Sequence, residues 1–199
     1  MTTGRRMCYF FTILNTGKCN MSNFNDFKRE STAALAVALR WFLLAVPTGL
    51  VCGLVGTAFH LAVETVTELR GQQPWLLFLL PVAGLAITAF YKWTKCEGVG
   101  TNNVIRAVQS GEPVSLLLVP AIFLGTVLTH LCGGSAGREG AALQMGGSIG
   151  WNVGVLLHLK DHDRRTATIS GMAAFFSALF GTPLTAALFA MMVEDVGLT

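Results

Sequence analysis

The chain has 199 residues, of which 52% are hydrophobic and only 13% charged, with 22 glycines. A soluble domain carries about a quarter charged residues, so this composition excludes an ordinary water-soluble fold and points to an all-helical integral membrane protein. The net charge of +3 is too small and too dispersed to build a nucleic-acid surface, and no nucleic-acid partner is expected.

Residues 1–30 differ from the rest and read as a poorly ordered cytoplasmic tail, with residues 31–199 forming the membrane domain. Arg5 and Arg6 before "MCYFFTIL" hint at a signal peptide, but the apolar core is short and no small-x-small cleavage site follows. Met21 is an alternative start. Five cysteines, Cys8, Cys19, Cys52, Cys96 and Cys132, show no CxxC pair and no metal-ligand spacing. No disulfide framework, metal or cofactor is expected, and the cysteines in apolar segments act as small hydrophobes.

The first span is residues 41–63, free of charge and long enough as a helix to cross a hydrocarbon core of about 30 Å. Pro47 is expected to kink it, and Gly49, Gly53 and Gly56 offer a face for close helix approach. Further spans are expected at 75–91, 114–132 and 141–157. The uncharged run 166–193 is too long for one helix, and Gly181 and Pro183 within "FGTPL" predict two helices with a break. Arg29 and Arg40 precede span one, Lys92 and Lys95 follow span two, and Glu64, Glu68 and Arg70 fall in the loop between. By the positive-inside rule the N-terminus is cytoplasmic. The loop "HLKDHDRR", 158–165, is placed inside as well, through Lys160, Arg164 and Arg165.

Residues 133–147, "GGSAGREGAALQMGG", set a charged pair among glycines inside this apolar pattern. The GGSAG run matches the G-x-S-x-G hydrolase elbow. That chemistry needs a strand before Ser135 and an oriented base, whereas a helical run precedes it and His130 has no evident acidic partner, so the chain is not read as an enzyme. A second reading is helix packing through the glycines, with Arg138 and Glu139 paired, although adjacent helical residues point about 100° apart and pair poorly. The third is an anion site. The glycines break the helix at 135–137, and a new helix starting near Glu139 points its free N–H groups and positive dipole end into the membrane interior. Glu139 can place its own carboxylate there and leave when protonated, and an ionisable residue at membrane depth is a functional candidate by default. A second segment, "CEGVGTNNVIRAVQSGEPV", repeats the pattern: glycines at 98 and 100, then a short helix capped by Thr101 or Asn102. Two glycine breaks that each open a helix form the broken-helix pattern of midplane sites in transporters.

These residues resemble the CLC family of chloride channels and chloride/proton antiporters. "GREGAALQMGGSIG" is close to the family's G-R-E-G-P motif, and "GMAAFFSALFGTPLTAALFAMM" resembles its next helix pair. The resemblance covers about residues 31–197. It implies a CLC-type inverted-repeat architecture with broken, re-entrant helices, of which this chain holds the first repeat, ending at "VEDVGLT". The second filter segment and its coordinating tyrosine are then supplied elsewhere, by a longer protein or a complementary chain.

The resemblance further implies that Glu139 is the gate and that Gly137, Arg138, Gly140 and Ala141 form the backbone facing the anion. The family's G-S-G-I-P filter maps onto Gly98, Val99, Gly100, Thr101 and Asn102. Val99 stands where the family has the serine whose hydroxyl faces the anion, so the backbone, Thr101 or Asn102 must compensate. Loss of that serine also resembles the fluoride-exporting branch. Glu194 lies one residue beyond the position of the antiporters' internal glutamate, which puts the usual proton path in doubt. The function implied is transport of chloride or a related halide, by a channel or an anion/proton exchanger. Alternatives are fluoride export, or a non-transporting fragment or interaction module. The expected partners are chloride or fluoride, protons, membrane lipid and a second copy in a homodimer through residues 171–195, at the plasma membrane.

Overall fold

The computed structural model describes residues 21–195. Most of the expected tail, with Cys8 and Cys19, lies outside the described residues. Packing divides the chain into Met1–Leu43 and Leu44–Thr199. In the described part of the first unit the backbone is helical from Met21 onward, which is where helix α1 begins. All that follows concerns the second unit.

The described residues are helical with no strand. α1 is Met21–Gln72, followed by a 3-10 turn at Pro74–Leu79 and then α2, Leu80–Trp93. Next come α3, Thr101–Ser110, and α4, Leu118–Leu131. The chain continues through α5, Arg138–Leu156, and α6, Asp161–Phe180, to α7, Pro183–Asp195. Trp41–Gln72 and Pro74–Trp93 are long and apolar enough to cross a membrane, whereas Leu118–Leu131 and Pro183–Met192 are apolar but shorter. Large apolar side chains face outward on α1 (Leu50, Leu54, Leu61), α2 (Val82, Leu85) and α7 (Leu184, Leu188, Met192). Outward apolar surface on this scale suits a lipid solvent.

Three expectations are corrected. α1 continues to Gln72, so Glu64, Glu68 and Arg70 lie on a helix, not in a loop; the chain turns only at Gln73 and Pro74, where the fixed proline geometry starts a 3-10 turn. α6 begins at Asp161, so most of the 158–165 "loop" is helix: Asp161 and Asp163 occupy its first turn, where acidic groups offset the dipole. Of the α1 glycines, only Gly56 meets another helix, at the Ala178 Cβ and the Phe175 carbonyl; Gly49 and Gly53 have no neighbour where a Cβ would stand. The break within 166–193 falls at Gly181, whose φ of +68 is the left-handed turn that ends α6 before Pro183 opens α7.

The core is built where α1, α4, α5 and α6 converge. Phe59 stacks edge-on with Phe123 at 5.5 Å between ring centres and lies 6.4 Å from Phe175. The tightest crossing joins α5 and α6 through glycine. A Cβ on Gly146 would lie 2.5 Å from the Gly171 carbonyl oxygen, and one on Gly150 would collide with the Ala167 carbonyl. The Cys52 thiol donates to that same Gly171 carbonyl at 3.6 Å, which ties α1 to the crossing. Cys52, Cys96 and Cys132 are buried and unbridged.

Candidate anion site

The interhelix glycines end α4 in a defined way. Gly133, at φ +84, follows the C-cap Cys132. Its N–H donates to the His130 carbonyl at 3.1 Å, and the Gly134 N–H donates to Thr129 at 2.8 Å. This paired closure satisfies the carbonyls of the last turn and turns the chain away from the helix axis. Extended backbone follows to Gly137, the N-cap of α5, with φ −66 and ψ 116 and no side-chain cap. The new helix therefore starts at Arg138, one residue before its expected start near Glu139.

At such a terminus the first N–H groups have no partner within the helix. Those of Arg138, Glu139 and Gly140 are the donors left open. The Ala141 N–H is turned to the Gly137 carbonyl at 3.4 Å, and the Ala141 side chain is buried. That amide is the first to close the helical ladder. Glu139 and Arg138 form no ion pair with each other among the described residues, and Glu139 is exposed in the first turn. Ser135 is likewise exposed, and the His130 ring shares a hydrogen bond with the Thr126 carbonyl of its own helix at 2.9 Å. The loop thus presents backbone at a helix N-terminus, and among the described residues Ser135 makes no side-chain hydrogen bond.

α2 ends by the same closure, this time with Lys95 at φ 54 in the left-handed position. The Cys96 N–H reaches the Tyr91 carbonyl at 3.1 Å. Gly98 turns the chain at φ +72, and α3 begins at Thr101. Neither Thr101 nor Asn102 caps it as expected. Asn103 does, because its Oδ1 accepts the Gly100 N–H at 3.3 Å while its own N–H donates to the Gly100 carbonyl at 3.0 Å. The Asn103 side chain reaching back to the Gly100 N–H is one half of a capping box, and among the described residues the Thr101 and Asn102 amides show no partner. Val99 is half-buried and packs in part against the apolar core.

The two N-termini meet. Gln144, in the second turn of α5, donates from Nε2 to the Thr101 hydroxyl at 2.9 Å. A Cβ on Gly140 would stand 3.4 Å from the same oxygen. One turn further along, Val104 of α3 fills the notch left by Gly147. Two more side chains on this face of α5 hold the segment leaving α3: Ser148 donates to the Ser115 carbonyl at 2.8 Å and Asn152 to the Val114 carbonyl at 3.0 Å. Gln144, Ser148 and Asn152 recur every four residues, which puts them on one stripe of the helix. That polar stripe in an apolar helix was the available sequence signal for this anchorage.

At the far end of α3, a Cβ on Gly111 would lie 3.4 Å from Arg165 Nη2, so a guanidinium sits beside the helix C-terminus, where a cation is favoured. Gly98, Gly100 and Gly137, which flank the two N-termini, have nothing within 4 Å of a would-be Cβ. Glu194 belongs to the backbone of α7, and its side chain lies outside the described part.

The chain is similar to known proteins of one family. The family profile described as "Voltage gated chloride channel" matches residues 83–195. A "Chloride/fluoride channel protein" of Pseudomonas syringae pv. tomato is 36% identical over 179 residues, covering 89% of this chain and 39% of that protein. An "H(+)/Cl(-) exchange transporter ClcA" of Cronobacter sakazakii is 35% identical over 170 residues, covering 77% of this chain and 36% of its own length. Among solved structures, a CLC-type fluoride/proton antiporter is similar with a TM-score of 0.70 and 36% identity, over 74% of this chain and 38% of its own. The chain thus spans about two-fifths of the length of the relatives it matches.

Proposed function

This chain belongs to the voltage-gated chloride channel family, CLC, an integral membrane family, and on that premise we propose that it contributes half of a halide pathway. The observation that carries the reading is the meeting of two helix N-termini, α3 and α5, through Thr101, Gly140 and Gln144. Backbone N–H groups and the positive dipole ends of two helices lie close together there, a combination that attracts an anion without a full positive charge.

Glu139 is the gate in this proposal. Its carboxylate sits in the first turn of α5, where it competes with the halide for the same donors. Protonation removes that competition and opens the path. The backbone of Gly98, Gly100, Thr101 and Asn102 on one helix, and of Gly137, Arg138 and Gly140 on the other, forms this chain's share of the site. A complementary repeat, from the same or another polypeptide, completes it. Chloride is the first cargo. Fluoride is the second reading, favoured by Val99 in place of a hydroxyl side chain and by the names of two similar proteins, each 36% identical, that mention fluoride. The proposal also takes the N-terminus and Lys160 to be cytoplasmic, the membrane to be the plasma membrane, residues 31–199 to be the membrane domain, and residues 171–195 to face a second copy.

The test is halide efflux from liposomes carrying the protein expressed from its own reading frame, read with chloride and fluoride electrodes. Efflux above protein-free liposomes is expected. Val99→Ser adds a donor to an anion, a bond worth roughly 1.5–3 kcal/mol, and should raise the chloride-to-fluoride ratio about tenfold. Absence of halide efflux from the wild type, both alone and co-reconstituted with a complementary repeat, refutes the reading; an unchanged ratio in Val99→Ser removes Val99 from selectivity.

A further inference from the structure

The Thr101 hydroxyl differs from those of four threonines inside helices. Thr48, Thr65, Thr88 and Thr168 each donate to the carbonyl four residues back in their own helix, at 3.0, 2.7, 2.8 and 2.9 Å. Thr101 is the first residue of α3 and has no preceding helical turn to donate to. Its Oγ1 instead accepts the Gln144 Nε2–H at 2.9 Å. A hydroxyl carries one hydrogen and two lone pairs. The amide occupies a lone pair, so the hydrogen is left over, and no group among the described residues accepts it. Gly140 keeps that oxygen accessible, since a Cβ there would already be in contact at 3.4 Å.

We infer that Gln144 is a positioning residue: by donating to Thr101 Oγ1 it commits that oxygen as an acceptor and directs the hydroxyl hydrogen to a halide held between the N-termini of α3 and α5. The Thr101 hydroxyl thereby supplies the side-chain donor that Val99 withholds. The inference rests on the anion-site reading above. It depends on the amide being a donor. A glutamate at 144 has the same shape but only accepts, so it would take the hydroxyl hydrogen for itself.

The experiment is isothermal titration of the purified protein with sodium chloride and with sodium fluoride, alongside thermal unfolding of each variant. Thr101→Ser, which keeps the hydroxyl, should bind within about twofold of wild type. Thr101→Val removes one hydrogen bond to an ion and should weaken binding about tenfold or more. Gln144→Met matches the length of glutamine without its donor and should weaken binding roughly threefold or more. In the Thr101→Val background it should add nothing, because the two act through one hydrogen. A purely structural role for Gln144 would lower the Tm of Gln144→Met without changing the halide Kd, or would make the two losses additive, and either result overturns the inference. If Gln144→Met does not fold, Gln144→Glu takes its place and should bind no better than Thr101→Val. Wild-type binding with Thr101→Val unaffected overturns the inference alone. Absence of halide binding to wild type overturns the site reading and the inference with it.

Discussion

Glycine does opposite work in two regions of this chain. At the crossing of α5 and α6, Gly146, Gly150 and Gly171 are absences filled by another helix: a Cβ on Gly171 would stand 2.8 Å from the Gly150 Cα and collide with the Gly146 carbonyl. At the start of α3 and α5, Gly98, Gly100 and Gly137 are absences left empty, with nothing within 4 Å. The first set lets backbones touch, so that helices pack where no side chain could fit. The second leaves backbone N–H groups uncovered at the positive ends of two helices. A single motif, "GREGAALQMGGSIG", contains both uses. Its front turn is open and its second half is packed, so the helix that presents the site is anchored immediately behind it.

The sharpest way to break this comparison is to add one methyl to each region. Gly150→Ala or Gly171→Ala overpacks a backbone contact, with an expected loss of about 3 kcal/mol. Such a variant should yield little monodisperse protein in size-exclusion chromatography, and a wild-type elution profile and Tm would show the crossing to be looser than described. Gly98→Ala should cost less, about 1–2 kcal/mol, because the penalty comes only from its left-handed backbone. Gly137→Ala meets neither obstacle, since its φ of −66 suits alanine and the space is open. Its unfolding midpoint should correspond to a change below about 0.5 kcal/mol, while the proposed pathway predicts a several-fold fall in halide efflux, because the methyl is added beside the open end of α5. Loss of stability without loss of efflux would reverse the roles assigned to the two regions.

Much of this was legible in the sequence, and the limits follow from the residues themselves. The helix breaks were legible because Gly133, Gly181 and Pro183 impose backbone geometry locally, and the structure puts the breaks within a residue or two of expectation. The family was legible because GREG and the following pair of helices carry specific side chains in order. Which glycines pack and which stay open was not legible. Glycine has no side chain to declare a preference, and only the partner helix decides. Gly49, Gly53 and Gly56 were read as one face for helix approach, and within this chain only Gly56 is met. The cap of α3 was missed for a related reason. Thr101, Asn102 and Asn103 are all competent caps, and the choice falls to Asn103 because Gln144 from a distant turn engages Thr101. The early start of α6 was hidden by the charges of "DHDRR", which signal a loop by composition yet suit the first turns of a helix by position.

The central claim is that Glu139 and a transported halide compete for the uncovered donors at the start of α5. Halide efflux from liposomes across a series of external pH values, wild type against Glu139→Gln, tests it most directly. Glutamine keeps the shape of the side chain and removes its charge at every pH. The account predicts that wild-type efflux rises as external pH falls, and that Glu139→Gln efflux is high and independent of pH, with any proton coupling lost. Superimposable pH profiles for the two proteins would contradict it, leaving the glycines of α5 as packing residues alone.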